Sequence, residues 1–95
     1  ELKTLTVTPS AGSAVGTTKA TLSGKDGTAG NVLKYRLGSA AASVSYGQNV
    51  RNWPNFTEGA DITATTGQVL TVVEADQYYK AVASGSYTVV VNAEG

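Results

Sequence analysis

Two pairs of carboxylates stand close together in the sequence, Glu58 with Asp61 and Glu74 with Asp76. Hydrolysis of a glycosidic bond uses two carboxyl groups held roughly 5–9.5 Å apart, and residues i and i+2 of a strand share one face. The alternative is that Asp76 lies in the turn after a strand and that Glu74 is a solvated face residue. The sequence predicts no helix and no second layer that would form a cleft around either pair. The alternative is therefore favoured, and no catalytic residue is expected.

The side chains most used for acid–base and nucleophilic chemistry near neutral pH are missing, since the chain contains no His and no Cys. Serines are plentiful, but without His they cannot form a Ser-His-Asp arrangement. The run Gly24-Lys25-Asp26-Gly27 lacks the spacing of a phosphate-binding loop and the helix that follows one. The sequence therefore predicts a protein that is not an enzyme and that binds no cofactor.

Oxygen ligands for calcium are the remaining candidates for a metal site. Asp26 with Asn31, or Glu58 with Asp61, could supply them, but no Asp-rich ladder accompanies either pair and no metal is expected. Seven basic and seven acidic residues give a formal net charge of zero. They form no basic stripe, which argues against nucleic acid as a partner. No run approaches the ~18 apolar residues of a membrane span, so no membrane partner is expected.

Aromatic side chains are the feature with functional promise. Tyr46, Trp53, Phe56 and Tyr78 lie in or next to the irregular parts of the sequence and are the candidate ligand contacts, because exposed rings are the usual sugar-stacking platform of carbohydrate-binding modules. For Trp53 the competing interpretation, a core residue between two sheets, is favoured. Strand alternation in the pair Tyr78-Tyr79 would turn one ring inward and the other outward.

The carboxylates and aromatic residues named above lie in or between runs in which Thr, Val, Leu and Tyr alternate with other side chains. Turns that contain Gly, Asn or Asp interrupt these runs about every dozen residues. The runs predict strands at residues 3–8, 18–23, 31–37, 62–65, 67–74, 78–83 and 86–91. Pro9 should end the first strand because proline cannot donate to a ladder, and Ser84-Gly85 should form a turn between the last two. Residues 44–61 are the least regular part.

This pattern predicts an all-β protein, an immunoglobulin-like antiparallel two-sheet β-sandwich, with residues 1–95 forming one domain. Hydrophobic residues make up 41% of the chain, mainly Val and Ala, which is enough for one thin core. The side chains expected to meet inside are Leu5, Val7, Ala20, Leu22, Leu33, Tyr35, Leu37, Val89 and Val91. The lack of cysteines favours a bacterial or viral source. The opening Glu1-Leu2-Lys3 has neither a Met nor the pattern of a signal peptide, and the chain is therefore expected to be an excised module or a processed product.

Several segments resemble an immunoglobulin-like repeat of Gram-positive surface proteins and of phage structural proteins. Residues 5–19, LTVTPSAGSAVGTTK, are similar to the opening of that repeat. The motifs ITATTG at 62–67, VVEAD at 72–76 and KAVASG at 80–85 are similar to its ending, with KYRLG at 34–38 between them.

The resemblance implies a non-catalytic display or spacer module, often repeated in tandem or appended to a larger structural protein. Such a module would be extracellular, on a bacterial cell surface or a virion. Its partners would be neighbouring domains of the parent protein and, through weak contacts, cell-surface glycan. The alternative function is a dedicated carbohydrate-binding module that uses exposed aromatics.

Overall fold

Seven strands in two sheets make up the computed structural model, which describes residues 2–92. The strands are β1 (Lys3–Thr4), β2 (Thr6–Ala11), β3 (Thr17–Ser23), β4 (Val32–Gly38), β5 (Ile62–Thr63), β6 (Val69–Ala75) and β7 (Ala81–Thr88). One sheet has the order β1-β7-β6-β4 and the other the order β2-β3-β5. β1 pairs with β7 in parallel, and the other four strand pairs are antiparallel. The predicted immunoglobulin-like two-sheet sandwich is confirmed.

Apolar side chains at alternate strand positions meet between the sheets and form the main core. Val7 and Ala20 come from the three-stranded sheet, and Leu70, Val72 and Ala83 face them from the four-stranded sheet. The side chains predicted to point inward do so. Leu5, Val7, Ala20 and Val89 are buried, and half-buried residues pack against them: Leu22, Leu33, Tyr35, Leu37 and Val91.

The first predicted strand, residues 3–8, is in fact two strands that belong to different sheets. The chain leaves the four-stranded sheet at Leu5 and continues as β2 in the three-stranded sheet. Pro9 does not end β2, which runs on to Ala11. β2 is an edge strand, and proline is tolerated there because its missing N–H can be on the unpaired side.

The last two predicted strands are one continuous strand, β7, and Ser84-Gly85 is not a turn. Gly85 lies where the backbone of Leu5 crosses β7. A Cβ atom at this position would be 2.1 Å from the carbonyl oxygen of Leu5, so the glycine permits a close approach of two backbone segments. Tyr78 and Tyr79 lie in the turn before β7, and strand alternation therefore does not apply to them.

The irregular part of the chain covers the outer face of the four-stranded sheet. We call residues 39–56 the covering segment. Near Val50 it bonds to the start of β7, through Gly47 N–H to the Ala81 carbonyl at 2.8 Å. At its end it bonds to β4, through Phe56 N–H to the Leu33 carbonyl at 2.9 Å. Val50 of this segment packs on Val73, Ala75 and Ala81 of the sheet and forms a second apolar cluster with them, whereas Phe56 at its end turns into the main core.

Lys34 shows the effect of this cover. Its position in β4 predicts a solvent-facing side chain, but only 6% of its surface is exposed. Its ammonium group donates to Asn55 Oδ1 of the covering segment and lies 5.1 Å from the centre of the Tyr79 ring. The stem of a lysine can be buried in this way when the charged head finds an acceptor and an aromatic face.

The pairing of β1 with β7 places the two ends of the described chain at opposite ends of the sandwich. We call the end with residues 2–4, the loop 24–31 and the turn 76–80 the leading end. The trailing end holds the loop 12–16, the turn 64–68 and residues 89–92, where Asn92 N–H donates to the Thr17 carbonyl at 2.9 Å. The body measures 41 × 24 × 22 Å.

Candidate functional site

The four candidate ligand contacts do not form one platform. Tyr46 and Tyr78 are 61% and 67% exposed at the leading end. Trp53 is half-buried in the covering segment, over the outer face of the four-stranded sheet. Phe56 is buried in the main core. Only the two tyrosines present an open ring at one end of the molecule.

Trp53 does not lie between the two sheets, where the sequence favoured it. It packs against the second apolar cluster, and the guanidinium of Arg36 lies 5.4 Å from the centre of its ring. The backbone N–H of Trp53 donates to the carbonyl of Val50 at 3.0 Å, which closes a turn in the covering segment. The ring therefore covers apolar surface on one side and receives a cation on another.

Phe56 is the aromatic residue that fills the space between the sheets. It is 5% exposed, and its ring meets the Tyr35 ring edge-on with the centroids 6.2 Å apart. This geometry is the favoured one for two aromatic quadrupoles. The Phe56 ring consequently has no face open to a ligand.

The leading end is built around the carboxylate of Glu74 on β6. Glu74 is only 2% exposed and accepts hydrogen bonds from Asp26 N–H at 2.6 Å, Gly27 N–H at 3.1 Å and Asn31 Nδ2 at 2.9 Å. The sequence predicted a solvated side chain, which is wrong because the loop 24–31 folds over it. Three donors compensate the burial of the charge.

Asp26 links that loop to the first strand. Its carboxylate pairs with the ammonium of Lys3 and accepts hydrogen bonds from Thr28 and Asn31. The hydrogen bond from Lys3, followed by that from Thr28, lowers the pKa of Asp26 to about 2. The same pair raises the pKa of Lys3 above its ordinary 10.5. A lysine ammonium thus bonds to the Asp26 carboxylate that the sequence offered as a calcium ligand.

An open depression of about 430 Å³ lies beside this ion pair. Lys3, Asp26 and Asn31 line one part of it, and Tyr46 and Asp76 line another. The depression combines an aromatic ring with amide and carboxylate groups, and these groups can bind a polar ligand through stacking and hydrogen bonds. It contains no His or Cys, since the chain has none.

The other carboxylates have structural partners of their own. Asp76 accepts hydrogen bonds from Tyr78 N–H at 2.8 Å and Lys80 N–H at 3.1 Å, which fixes the turn 76–80. Asp76 lies in a turn after the strand as predicted, but residues 78–80, predicted as the start of the next strand, belong to that turn. Glu58 pairs with Lys25 at 2.7 Å. Asp61 accepts from Ser13 N–H at 2.9 Å. Among residues 2–92, no group of three or more acidic side chains is placed to hold a metal ion.

Sequence reasoning gave Lys3 no role and placed Glu74 in solvent, so it missed the part that both residues play at this end. Asp26 and Asn31 were paired by the sequence analysis only as possible oxygen ligands for calcium. Nothing local to Lys3 or Glu74 points to the loop 24–31, because their contacts span 23 and 43 to 48 positions of the chain. Long-range side-chain contacts of this kind leave no periodic signal.

Comparison with known proteins gives a family match and two structural matches. Residues 10–92 match the family described as S-layer protein SbsC C-terminal domain. The crystal structure of domains 7, 8 and 9 of the S-layer protein SbsC is 28% identical, with a TM-score of 0.65, over 93% of this chain and 27% of that one. The structure of SbsC domains 4–9 is 26% identical, with a TM-score of 0.70, over 94% and 14%.

The chain thus spans about a quarter of the first SbsC structure and about a seventh of the second. A comparison with curated protein sequences gives no match. Within the part of the chain that the structure describes, no helix is long and apolar enough to cross a membrane.

Proposed function

The chain belongs to the S-layer protein SbsC C-terminal domain family, and from this membership we propose that it is a non-catalytic structural domain of a bacterial surface layer. The family match over residues 10–92 is the observation that carries the proposal. It favours the bacterial surface-protein side of the resemblance over the phage side. The location that follows is extracellular, on the bacterial cell surface rather than on a virion.

The position of the chain ends supports a role as one link in a row of domains. The chain enters beside the start of β7 and leaves beyond its end, so neighbours on either side would lie in line along the direction of β7. The matched shares, 27% of three SbsC domains and 14% of six, are close to one domain in each case. We therefore propose that residues 1–95 are a single domain and that its partners are neighbouring domains of the same protein.

The chemistry of the surface fits this role. Asp26, Glu58 and Glu74, three of the carboxylates with catalytic or metal-binding potential, are bonded to lysines or to backbone N–H groups. The lowered pKa of Asp26 and the raised pKa of Lys3 hold both groups charged near neutral pH. Neither group can then exchange a proton in that range, as general acid–base catalysis requires.

An antibody raised against this chain tests the location. Intact cells should be labelled uniformly, and the antigen should be found in surface sheets released by a chaotropic agent. The matched control is an antibody against a cytoplasmic protein, which should label only broken cells. Antigen found inside the cell, or on released phage particles, would contradict the proposal.

Carbohydrate binding at the leading end is the second candidate function. The exposed ring of Tyr46 lines the open depression together with Asp76. Tyr78 is also exposed, follows Asp76 in the turn and donates its backbone N–H to the Asp76 carboxylate. Sugar-binding sites combine such rings with hydrogen-bonding side chains. In a pull-down with purified cell-wall polysaccharide, Tyr46→Ala and Tyr78→Ala should each reduce retention. Tyr87→Ala is the control, because Tyr87 is 55% exposed but lies on β7 away from the depression. Equal retention of all four proteins, wild type included, would exclude these tyrosines as sugar contacts.

A further inference from the structure

The first and last strands of the domain are neighbours that run in the same direction. Lys3 lies opposite Ala83 and Thr4 opposite Ser84, and Leu5 N–H donates to the Ser84 carbonyl at 2.8 Å. The chain enters at the leading end and leaves at the trailing end. A pull on both ends therefore drags β1 and β7 past each other along their common axis.

Hydrogen bonds between two parallel strands are evenly spaced and cross from one strand to the other at a slant. When the strands are pulled along their axis in opposite directions, these bonds share the force and must break together. When the strands are separated from one end, the same bonds break one at a time. Because resistance to forced unfolding is set by the unfolding barrier, the first geometry gives the stronger domain.

We propose that the pairing of β1 with β7 is a mechanical clamp that resists tension applied through the two ends of the domain. The clamp consists of β1, Leu5 and residues 83–85 of β7. Tension on a surface-layer protein would pass through each such domain in turn. The clamp would then set the force at which a domain gives way.

Leu5 reinforces the clamp. Its side chain is 3% exposed in the main core, and its backbone crosses Gly85 so closely that a Cβ there would be 2.1 Å from the Leu5 carbonyl oxygen. Sliding of β1 along β7 must therefore pull a buried leucine out of the core and past the backbone of β7. Exposure of that side chain adds to the barrier.

Lys3 adds an anchor at the point where tension enters. Its ammonium pairs with Asp26 of the loop 24–31. That loop is bonded to Glu74, and Glu74 lies on β6, next to β7 in the sheet. Part of the force on β1 is thereby passed to a second strand of the sheet.

On the trailing side the exit strand is held more firmly than β1. β7 is paired with β6 over seven positions, from Val69 opposite Thr88 to Ala75 opposite Ala81. Beyond it, Val89 N–H donates to the Gln68 carbonyl at 2.9 Å. Under tension, the two-residue strand β1 therefore separates from β7 before β7 separates from β6, and the clamp determines the unfolding force.

The inference rests on the proposed function only for the neighbours that supply the tension. The unfolding force itself is a property of this chain alone. A cellular location other than the surface layer would disprove the proposed function and would leave the force measurement unaffected.

Optical tweezers test the clamp, and the absence of native cysteines allows handles at single introduced thiols. Handles on Glu1→Cys and Gly95→Cys pull the clamp along its axis. Handles on Glu1→Cys and Tyr78→Cys instead load the chain before β1 and the exposed turn just before β7, so that the two parallel strands are separated from their first residues onward. We expect an unfolding force roughly two to three times higher in the first geometry, because about three bonds share it. Equal forces in the two geometries would overturn the proposal.

Lys3→Ala and Lys25→Ala form a matched pair for the anchor. Each removes one exposed ion pair, with Asp26 in the first case and Glu58 in the second. Lys3→Ala should lower the end-to-end unfolding force while Lys25→Ala leaves it unchanged, even if thermal unfolding shifts equally in both. An equal reduction of the force by both variants would show that Lys3 is no part of the clamp.

Discussion

At the scale of single residues, one buried carboxylate holds the leading end of the sandwich together. Glu74 is 2% exposed and accepts three hydrogen bonds from the loop 24–31. A buried acceptor of this kind is costly when its donors are lost and stabilising when all are present. The loop, the ion pair of Lys3 with Asp26 and the open depression beside them all depend on its position.

Glu74→Gln should destabilise the domain by about 1–3 kcal/mol, because one acceptor oxygen is replaced by an amide group that faces N–H donors. Urea unfolding followed by circular dichroism measures the change. Glu58→Gln is the matched control, since Glu58 is exposed and its pair with Lys25 contributes at most about 1 kcal/mol. Equal losses in the two variants would show that the buried hydrogen bonds of Glu74 are not special.

Asp26 gives the domain a defined response to acid. Its pKa is about 2 in the folded protein against an ordinary value of 3.8, chiefly because of the hydrogen bond from Lys3. The unfolded chain therefore binds the proton more readily, so the stabilisation by Asp26 is complete above pH 3.8 and is lost as the pH falls towards 2. In Asp26→Asn and in Lys3→Ala, the urea midpoint should fall less between pH 5 and pH 2 than in the wild type, by the linkage argument. A parallel decline in all three proteins would contradict this.

At the scale of elements, the alternation of side chains predicted three of the long strands correctly. The prediction failed where two backbone segments that are distant in the sequence come into contact. The strands over residues 17–23, 32–38 and 69–75 lie within two residues of their predicted bounds. Gly85, however, looked like half of a turn, although it is the crossing point of Leu5 over β7. A glycine has the same local signal in both roles.

The covering segment is the second element that the sequence did not reveal. β6 is buried on both faces, with Leu70 and Val72 towards the main core and Val73 and Ala75 towards the covering segment. A continuous run of apolar residues, such as that of β6, is typical of a strand that is buried on both faces. To infer this burial from the sequence, one must also expect a layer that covers the second face. The covering segment has no period of its own, so the sequence supplied no such layer, and Trp53 was assigned to the inter-sheet core instead.

Gly85→Ala should lower the free energy of unfolding by about 1–3 kcal/mol, the usual cost of overpacking. The added methyl group would meet the backbone of Leu5, which cannot move aside as a flexible side chain can. Unfolding in urea measures this loss. Gly38→Ala is the control on β4, where the nearest atom to the added Cβ would be the Ala40 carbonyl oxygen at 3.6 Å, an ordinary contact. Equal stability of Gly85→Ala and Gly38→Ala would contradict the close approach of the Leu5 backbone to Gly85.

Trp53→Ala and Phe56→Ala should separate the covering segment from the main core. Phe56 is 5% exposed between the sheets, and its truncation should cost about 3–5 kcal/mol. Trp53 is half-buried on the outer face, and its truncation should cost only about 1–2 kcal/mol for the smaller apolar area involved. Thermal and urea unfolding of both variants give the comparison, and a reversed order would place Trp53 in the inter-sheet core.

At the scale of the whole molecule, the arrangement of the chain ends fits the proposed role as a link between domains. The leading end carries exposed Tyr46 and Tyr78, and exposed Val15 and Val90 lie near the trailing end. Neither end is closed by a long strand or a helix in the described residues 2–92. Both ends therefore present apolar or aromatic side chains that would suit contacts with the proposed neighbouring domains.

The parallel pairing of β1 with β7 also fixes an order of events during synthesis and export. β1 has β7 as its neighbour in the sheet, so the first strand to leave the ribosome or the secretion pore must wait unpaired for the last. Folding that depends on such distant partners is slow, on the order of milliseconds to seconds. A nascent chain ending before Ala81 should therefore stay unfolded by circular dichroism. In a row of similar domains, the unpaired β1 of one domain could pair with the β7 of its neighbour, which is a misassembly typical of multidomain proteins. Correct folding therefore requires that the β1 of each domain pair with its own β7 first.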